Sequence, residues 1–187
     1  MPSLSEADQR TLLELARRAV CEAVCRQQLP ASIPHDGVFS EKHGVFVTLH
    51  FQGRLRGCIG VTEGHEPLGE AIVRCAASAA LQDPRFAPLS EAELEGLQVE
   101  LSILSPLAPI RPGEIVIGKH GLMISRGSQR GLLLPQVAVE HHMENEQFLD
   151  ETCRKAGLPH GAWRDPDTQV LGFTCEVYSE GGPSLRT

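Results

Sequence analysis

The chain carries two imperfect copies of one pattern, and this repetition constrains its fold more than any other feature. Lys42-His43-Gly44-Val45-Phe46-Val47-Thr48 matches Lys119-His120-Gly121-Leu122-Met123-Ile124-Ser125 at an offset of 77 residues. Arg56-Gly57 matches Arg130-Gly131 at an offset of 74, and Val99-Glu100-Leu101 matches Cys175-Glu176-Val177 at 76. Each copy reads as a β-hairpin, a helix and a strand. Two copies are too few for a solenoid, which needs at least ~3 stacked repeats. The spacing therefore predicts an α+β fold within a single domain, residues 1–187. Internally duplicated hairpin/helix/strand units, about 42–105 and 119–178, would share one sheet or barrel with helices outside. A cleft between the halves is the expected place for a ligand, because pockets favour such seams.

Local signals fill in the elements. Residues 5–28 read as an amphipathic helix, with Ser5 and Asp8 forming a variant capping box. Leu12, Ala16, Ala19, Val20 and Ala23 fall on one face at 100° per residue, while Cys21 and Cys25 fall on the polar face. Val45, Val47, Leu49 and Phe51 share one side of a strand, and Gln52-Gly53 is a plausible hairpin turn. Pro67 opens a second helix whose buried side carries Leu68, Ile72, Cys75 and Ala79. Leu97–Ile103 alternates as a strand with Glu100 on its polar face.

Composition narrows the function. A net charge of −7 and only 4% aromatic residues argue against nucleic-acid binding and against an anionic membrane surface. No apolar run approaches the ~20 residues needed to span a bilayer. The start, Met1-Pro2-Ser3-Leu4-Ser5-Glu6, lacks the pattern of a signal peptide. Six cysteines are scattered without a Cys-x-x-Cys, which predicts a cytoplasmic protein with reduced thiols. No phosphate-binding glycine loop and no Gly-x-Ser-x-Gly occurs.

The residues with most chemical content are Arg56-Gly57-Cys58-Ile59-Gly60. Strand alternation would put Arg54, Arg56 and Cys58 on one side, and a guanidinium beside a thiol favours the thiolate. Gly57 and Gly60 would leave backbone N–H groups bare and let a ligand approach closely. Cys58 is thus the candidate catalytic residue, set against the plainer reading of a small residue in a tight turn. Cys75, Cys153 and Cys175 follow apolar periodicity and read as core. Cys21 and Cys25 read as solvated or lightly packed thiols, with no third metal ligand at motif spacing. Asp83 would either form a fork with an arginine and fix a loop, or hold a substrate. Glu100 and Glu176 occupy matching positions and offer a carboxylate pair or a remnant of the repeat. His141 and His142 precede Glu144 on a helix without forming a zincin motif, so no metal site is expected.

Leu55-Arg56-Gly57-Cys58-Ile59-Gly60 resembles the signature of the AMMECR family, whose prokaryotic members are called AmmeMemoRadiSam system protein A. The resemblance continues through Gly44–Leu49, Asp83-Pro84-Arg85-Phe86-Ala87-Pro88-Leu89-Ser90, Gly131–Val137 and Lys155-Ala156-Gly157-Leu158, covering roughly residues 10 to 180. It implies an α+β fold with internal duplication. It implies cleft positions at Arg56, Gly57 and Cys58, and at Asp83, Arg85 and Gln136, which become the candidate substrate-binding residues beside Cys58. It implies partnership with Memo-type and radical SAM proteins in a redox or modification pathway, and it leaves the reaction and the cofactor unknown. This chain departs from the family after the Gln136-Val137 segment, where His141-His142-Met143 replaces the aromatic residue common in other members. The competing functional readings are an enzyme, or its accessory subunit, with a small-molecule cleft, and a scaffold whose Arg-Gly-Cys loop docks a partner protein.

Overall fold

The computed structural model describes residues 4–180. Within these, the chain forms two compact units: one runs to Leu104 and takes up the chain again from Glu176, and the other is Ser105–Cys175. Both combine antiparallel strands with helices, so the fold is α+β, as the sequence predicts.

In the first unit, helix α1 (Glu6–Arg26) begins where Ser5 accepts the Asp8 N–H at 3.2 Å and donates its hydroxyl to the Asp8 carboxylate at 2.6 Å. Its buried face is Leu12, Leu15, Ala16, Ala19, Val20 and Ala23, the predicted stripe with one addition. Strands β1 (Gly44–Phe51) and β2 (Arg54–Val61) form a hairpin. Gln52 and Gly53 turn it with φ of 52° and 74°, both left-handed, as a tight turn matching strand twist requires. Helix α2 (Leu68–Leu81) follows, then β3 (Leu97–Leu104), giving the strand order β2-β1-β3. Val45, Val47 and Leu49 lie opposite Ile103, Leu101 and Val99 in register. All six are buried, with α2 and α1 in the same core. Burying each such side chain contributes roughly 1.5–3 kcal/mol. Alanine and glycine let the helix lie close: Gly69, Ala71, Ala76, Ala79 and Ala80 are all buried on α2.

In the second unit, β4 (Ala108–Pro109) precedes the hairpin β5 (His120–Arg126) and β6 (Gln129–Leu133). Two helices follow, α3 (Pro135–Glu140) and α4 (Asn145–Lys155), and then β7 (Gln169–Ser179). The order is β7-β5-β6, with β4 on β7. Phe148, Leu149 and Cys153 of α4 are fully buried against Leu122 and Ile124. Asp150 fastens the loop after α4 by accepting the Gly161 N–H at 2.8 Å and the Trp163 indole N–H at 3.0 Å.

Three local expectations are corrected. His141 and His142 do not stand on a helix with Glu144: α3 ends at Glu140, His142 turns the chain with φ of 51°, and Glu144 caps α4. A left-handed residue cannot continue a right-handed helix. Cys175 is not core but half-buried, because the burial of β7 fades beyond Phe173 and Val177 is exposed. Arg54, Arg56 and Cys58 do not share a side of β2, for the reason given next.

Candidate functional site

The β1–β2 ladder has a bulge. Phe51 pairs with Arg54 and His50 with Leu55, but Leu49 then pairs with Gly57 and Thr48 with Cys58. Arg56 is the extra residue, so strand parity reverses at it. Without the bulge, Cys58 would lie opposite Val47 and point into the core. With it, Cys58 lies opposite Thr48, and Thr48 lies opposite Glu100 on β3. Residues opposed in register share a sheet face. Cys58, Thr48 and Glu100 therefore form one row across three strands. His50, two residues along β1, is on the same face, and its Nε2 is buried without a hydrogen-bond partner among the described residues.

The sulfur of Cys58 accepts the Thr48 hydroxyl at 3.3 Å. Its backbone is held from both ends. Its N–H donates to Asp83 Oδ2 at 2.8 Å, and its carbonyl accepts from the Arg85 guanidinium at 3.2 Å. Asp83 and Arg85 pair through two contacts of 2.7 and 3.0 Å, and the Arg85 backbone N–H donates to Asp83 Oδ1 at 3.1 Å. Asp83 is only 4% exposed. The Arg85 guanidinium, together with these two N–H donors, overcomes the cost of burial and holds its carboxyl far below the usual carboxylate range. Arg85 is raised in turn, first by Asp83 and also by the Cys58 side chain. The guanidinium bonded to Cys58 is therefore that of Arg85, at the backbone carbonyl.

Arg56 serves elsewhere. Its guanidinium donates to Glu93 Oε1 at 2.7 Å and Oε2 at 3.2 Å, and to the carbonyls of Ala87 at 2.8 Å and Pro88 at 3.4 Å. Glu93 is held down to about 2 by Arg56, with the Ser90 N–H and hydroxyl assisting. Arg56 thus fixes the loop between α2 and β3, the same loop that carries Asp83 and Arg85. The glycines admit the protein's own atoms. A Cβ on Gly57 would lie 2.2 Å from the Ala79 carbonyl oxygen on α2, and one on Gly60 would lie 2.4 Å from the Phe46 ring.

The structure thus ties Cys58, Asp83 and Arg85 into one bonded cluster, with Arg56 beside it, bonded to the same loop through Glu93, Ala87 and Pro88, and Gly57 packed against Ala79. Gln136 stands on α3 of the second unit and takes no part in these bonds. Sequence reasoning missed Thr48, Glu93 and His50 as members or neighbours of the cluster. Alternation did place Thr48 and His50 opposite the apolar side of β1, but nothing in the sequence marks the bulge that turns Cys58 toward them. Elsewhere, Cys25 is exposed, and burial pushes the half-buried Cys21 thiol up. None of the six cysteines is in a disulfide. Among the described residues, no three His, Cys, Asp or Glu side chains converge as a metal site would require, and no helix is long and apolar enough to cross a membrane.

The class to which this α+β protein belongs is shown by comparison with known sequences and structures. The AMMECR1 family model matches residues 13–178, and the chain belongs to that family. A protein of Methanothermobacter thermautotrophicus is 43% identical over 189 residues, covering 96% of this chain and 97% of its own. One of Thermococcus kodakarensis is 45% identical over 186 residues, covering 92% and 90%. The crystal structure of an uncharacterized protein, PH0010 from Pyrococcus horikoshii, is similar at a TM-score of 0.85 and 40% identity, covering 96% of this chain and 95% of that one.

Proposed function

We propose that Cys58 is a working thiol and that this protein is an enzyme, or the accessory subunit of one, acting on a small molecule at the Cys58 face. The observation that supports this best is the investment around one residue. A bulge turns Cys58 out of the core, a buried carboxylate and a guanidinium fix its backbone, and a hydroxyl donor meets its sulfur. Packing alone requires none of these. Bulges are common where a side chain must be re-aimed. His50, on the same face and with a buried Nε2 that has no partner among the described residues, is the candidate proton acceptor. Asp83, Arg85 and Arg56 act as positioning residues. The Cys58 N–H is already given to Asp83, so any developing anion must be met by other donors, among them the half-exposed Arg85, which already bonds the Cys58 carbonyl.

We further propose, from the AMMECR resemblance, that it acts beside Memo-type and radical SAM proteins in a redox or modification pathway, and, from its six scattered cysteines, that it does so in the cytoplasm. The test is peptide-resolved alkylation by iodoacetamide at pH 6.5. Cys58 should be labelled at least about tenfold faster than the exposed Cys25. Labelling of Cys58 at or below the rate of Cys25 would end the reading.

A second reading, docking of a partner protein at the Arg-Gly-Cys loop, has one observation in its favour: Leu55, beside the bulge, is 42% exposed. In that case Leu55→Asp would abolish capture of the partner while Cys58→Ala would leave it intact.

A further inference from the structure

The second unit holds a cavity of about 540 Å3, within the range of small-molecule sites. Leu133 at the end of β6, Val137 on α3 and Met143 between the helices supply its apolar wall. Its polar wall comes from His141, at the end of α3, and from Glu151, Arg154 and Lys155 on α4.

The charges there do not simply cancel. Arg154 is engaged by Glu151, with its Nε at 2.7 Å from the carboxylate. That pair is neutral. Lys155 and the His141 imidazole make no side-chain hydrogen bond or ion pair among the described residues. One net positive charge and one further donor therefore face an apolar wall, on a chain whose overall charge is −7. A free cation in a concave setting attracts anions beyond what net charge suggests.

We infer that this cavity binds a small monoanionic amphiphile, a carboxylate with a short apolar body. The carboxylate would pair with the Lys155 ammonium and accept from His141, and the apolar body would lie along Leu133, Val137 and Met143. A dianion would leave one charge uncompensated, and a cation would meet Lys155. The site uses no residue of the Cys58 cluster, so the two proposals stand or fall separately. The ordinary alternative is that Lys155 merely complements the carbonyl end of α4. That role predicts an effect on stability and none on ligand binding.

The test uses the full chain and the fluorescent anion 8-anilinonaphthalene-1-sulfonate, with octanoate and octylammonium as competitors. The dye should bind saturably at one site, octanoate should displace it, and octylammonium should not. Lys155→Glu should weaken dye binding at least about fivefold, since reversing a charge both removes an attraction and adds a repulsion. Its melting temperature, measured alongside, should stay close to that of the parent, because Lys155 is exposed. Val137→Trp, which fills the cavity from α3, should abolish the saturable binding. Unchanged dye affinity in Lys155→Glu, equal displacement by octylammonium, or no saturable binding would each overturn the assignment.

Discussion

Thr48 faces Cys58 across the hairpin only because Arg56 is one residue too many for the ladder. The register on the turn side of the bulge would pair Cys58 with Val47, which is fully buried beneath α2. One inserted residue thus moves a thiol from a packing role to a polar face.

The thiol should therefore be dispensable for folding. Cys58→Ala and Cys58→Ser are each expected to stay within about 1 kcal/mol of the parent, because the side chain is half-buried and Thr48 can partner a serine hydroxyl. His50→Gln should fold equally well, yet slow alkylation of Cys58 by on the order of tenfold. Urea denaturation followed by circular dichroism, with labelling rates on the same samples, checks both halves.

Gly57 should tolerate no side chain. Gly57→Ala places a methyl 2.2 Å from the Ala79 carbonyl oxygen, a backbone atom that no rotamer change moves, and should cost about 3 kcal/mol. Gly113→Ala, where nothing among the described residues lies within 4 Å, should change stability by less than ~0.5 kcal/mol. We propose that the two units are copies of one ancestor. Gly131, the counterpart of Gly57, has the Ala156 backbone nitrogen 2.3 Å from its ideal Cβ, so Gly131→Ala should match Gly57→Ala in cost. A mild effect at Gly131 would separate the two positions.

Asp83 should matter more to stability than any other charged residue in the cluster. Asp83→Ala leaves the N–H groups of Cys58 and Arg85 without their acceptor and should cost about 3 kcal/mol. Asp83→Asn keeps one acceptor oxygen and should cost less. Chemical denaturation at neutral pH distinguishes the two.

Acid should loosen the first unit through two carboxylates. Both Asp83 and Glu93 have folded-state pKa values below their unfolded ones, so their contribution is complete above about pH 4.5 and is lost as pH falls. For Glu93 the window runs from about 4.5 down to about 2, and full protonation would withdraw on the order of 3 kcal/mol. Asp83 continues the loss to lower pH. The Arg56→Ala variant should show a shallower decline in melting temperature between pH 5 and 2.5 than the parent, because Glu93 then lacks the partner that depresses it.

Much of the fold was legible in periodicity. The α1 stripe, the two-residue turn at Gln52-Gly53 and the apolar side of β1 follow from spacing alone, because each repeats over several residues and burial selects the repeat. Single-residue events were not legible. The bulge at Arg56 leaves no composition signal, since arginine suits a regular strand as well. The left-handed turn at His142 is similar: histidine is tolerated there but does not announce it. The site was half legible. A fork between Asp83 and an arginine is one of the two roles the sequence offers that residue, and the fold supplies Arg85 for it; the partner of Arg56 lies 37 residues away at Glu93, and only the folded loop brings it back.

The clamp on Cys58 has a consequence for the molecule's neighbours. β2 is the outermost strand in the sheet of its unit, and an outer strand presents unpaired N–H and carbonyl groups to any chain that passes. At Cys58 both groups are occupied, the donor by Asp83 and the acceptor by Arg85. The pair that orients the thiol therefore also blunts the edge against strand addition from a second molecule. Loss of Asp83 should then register as self-association at high protein concentration, and added salt should not reverse it, because the contact that forms is a backbone ladder.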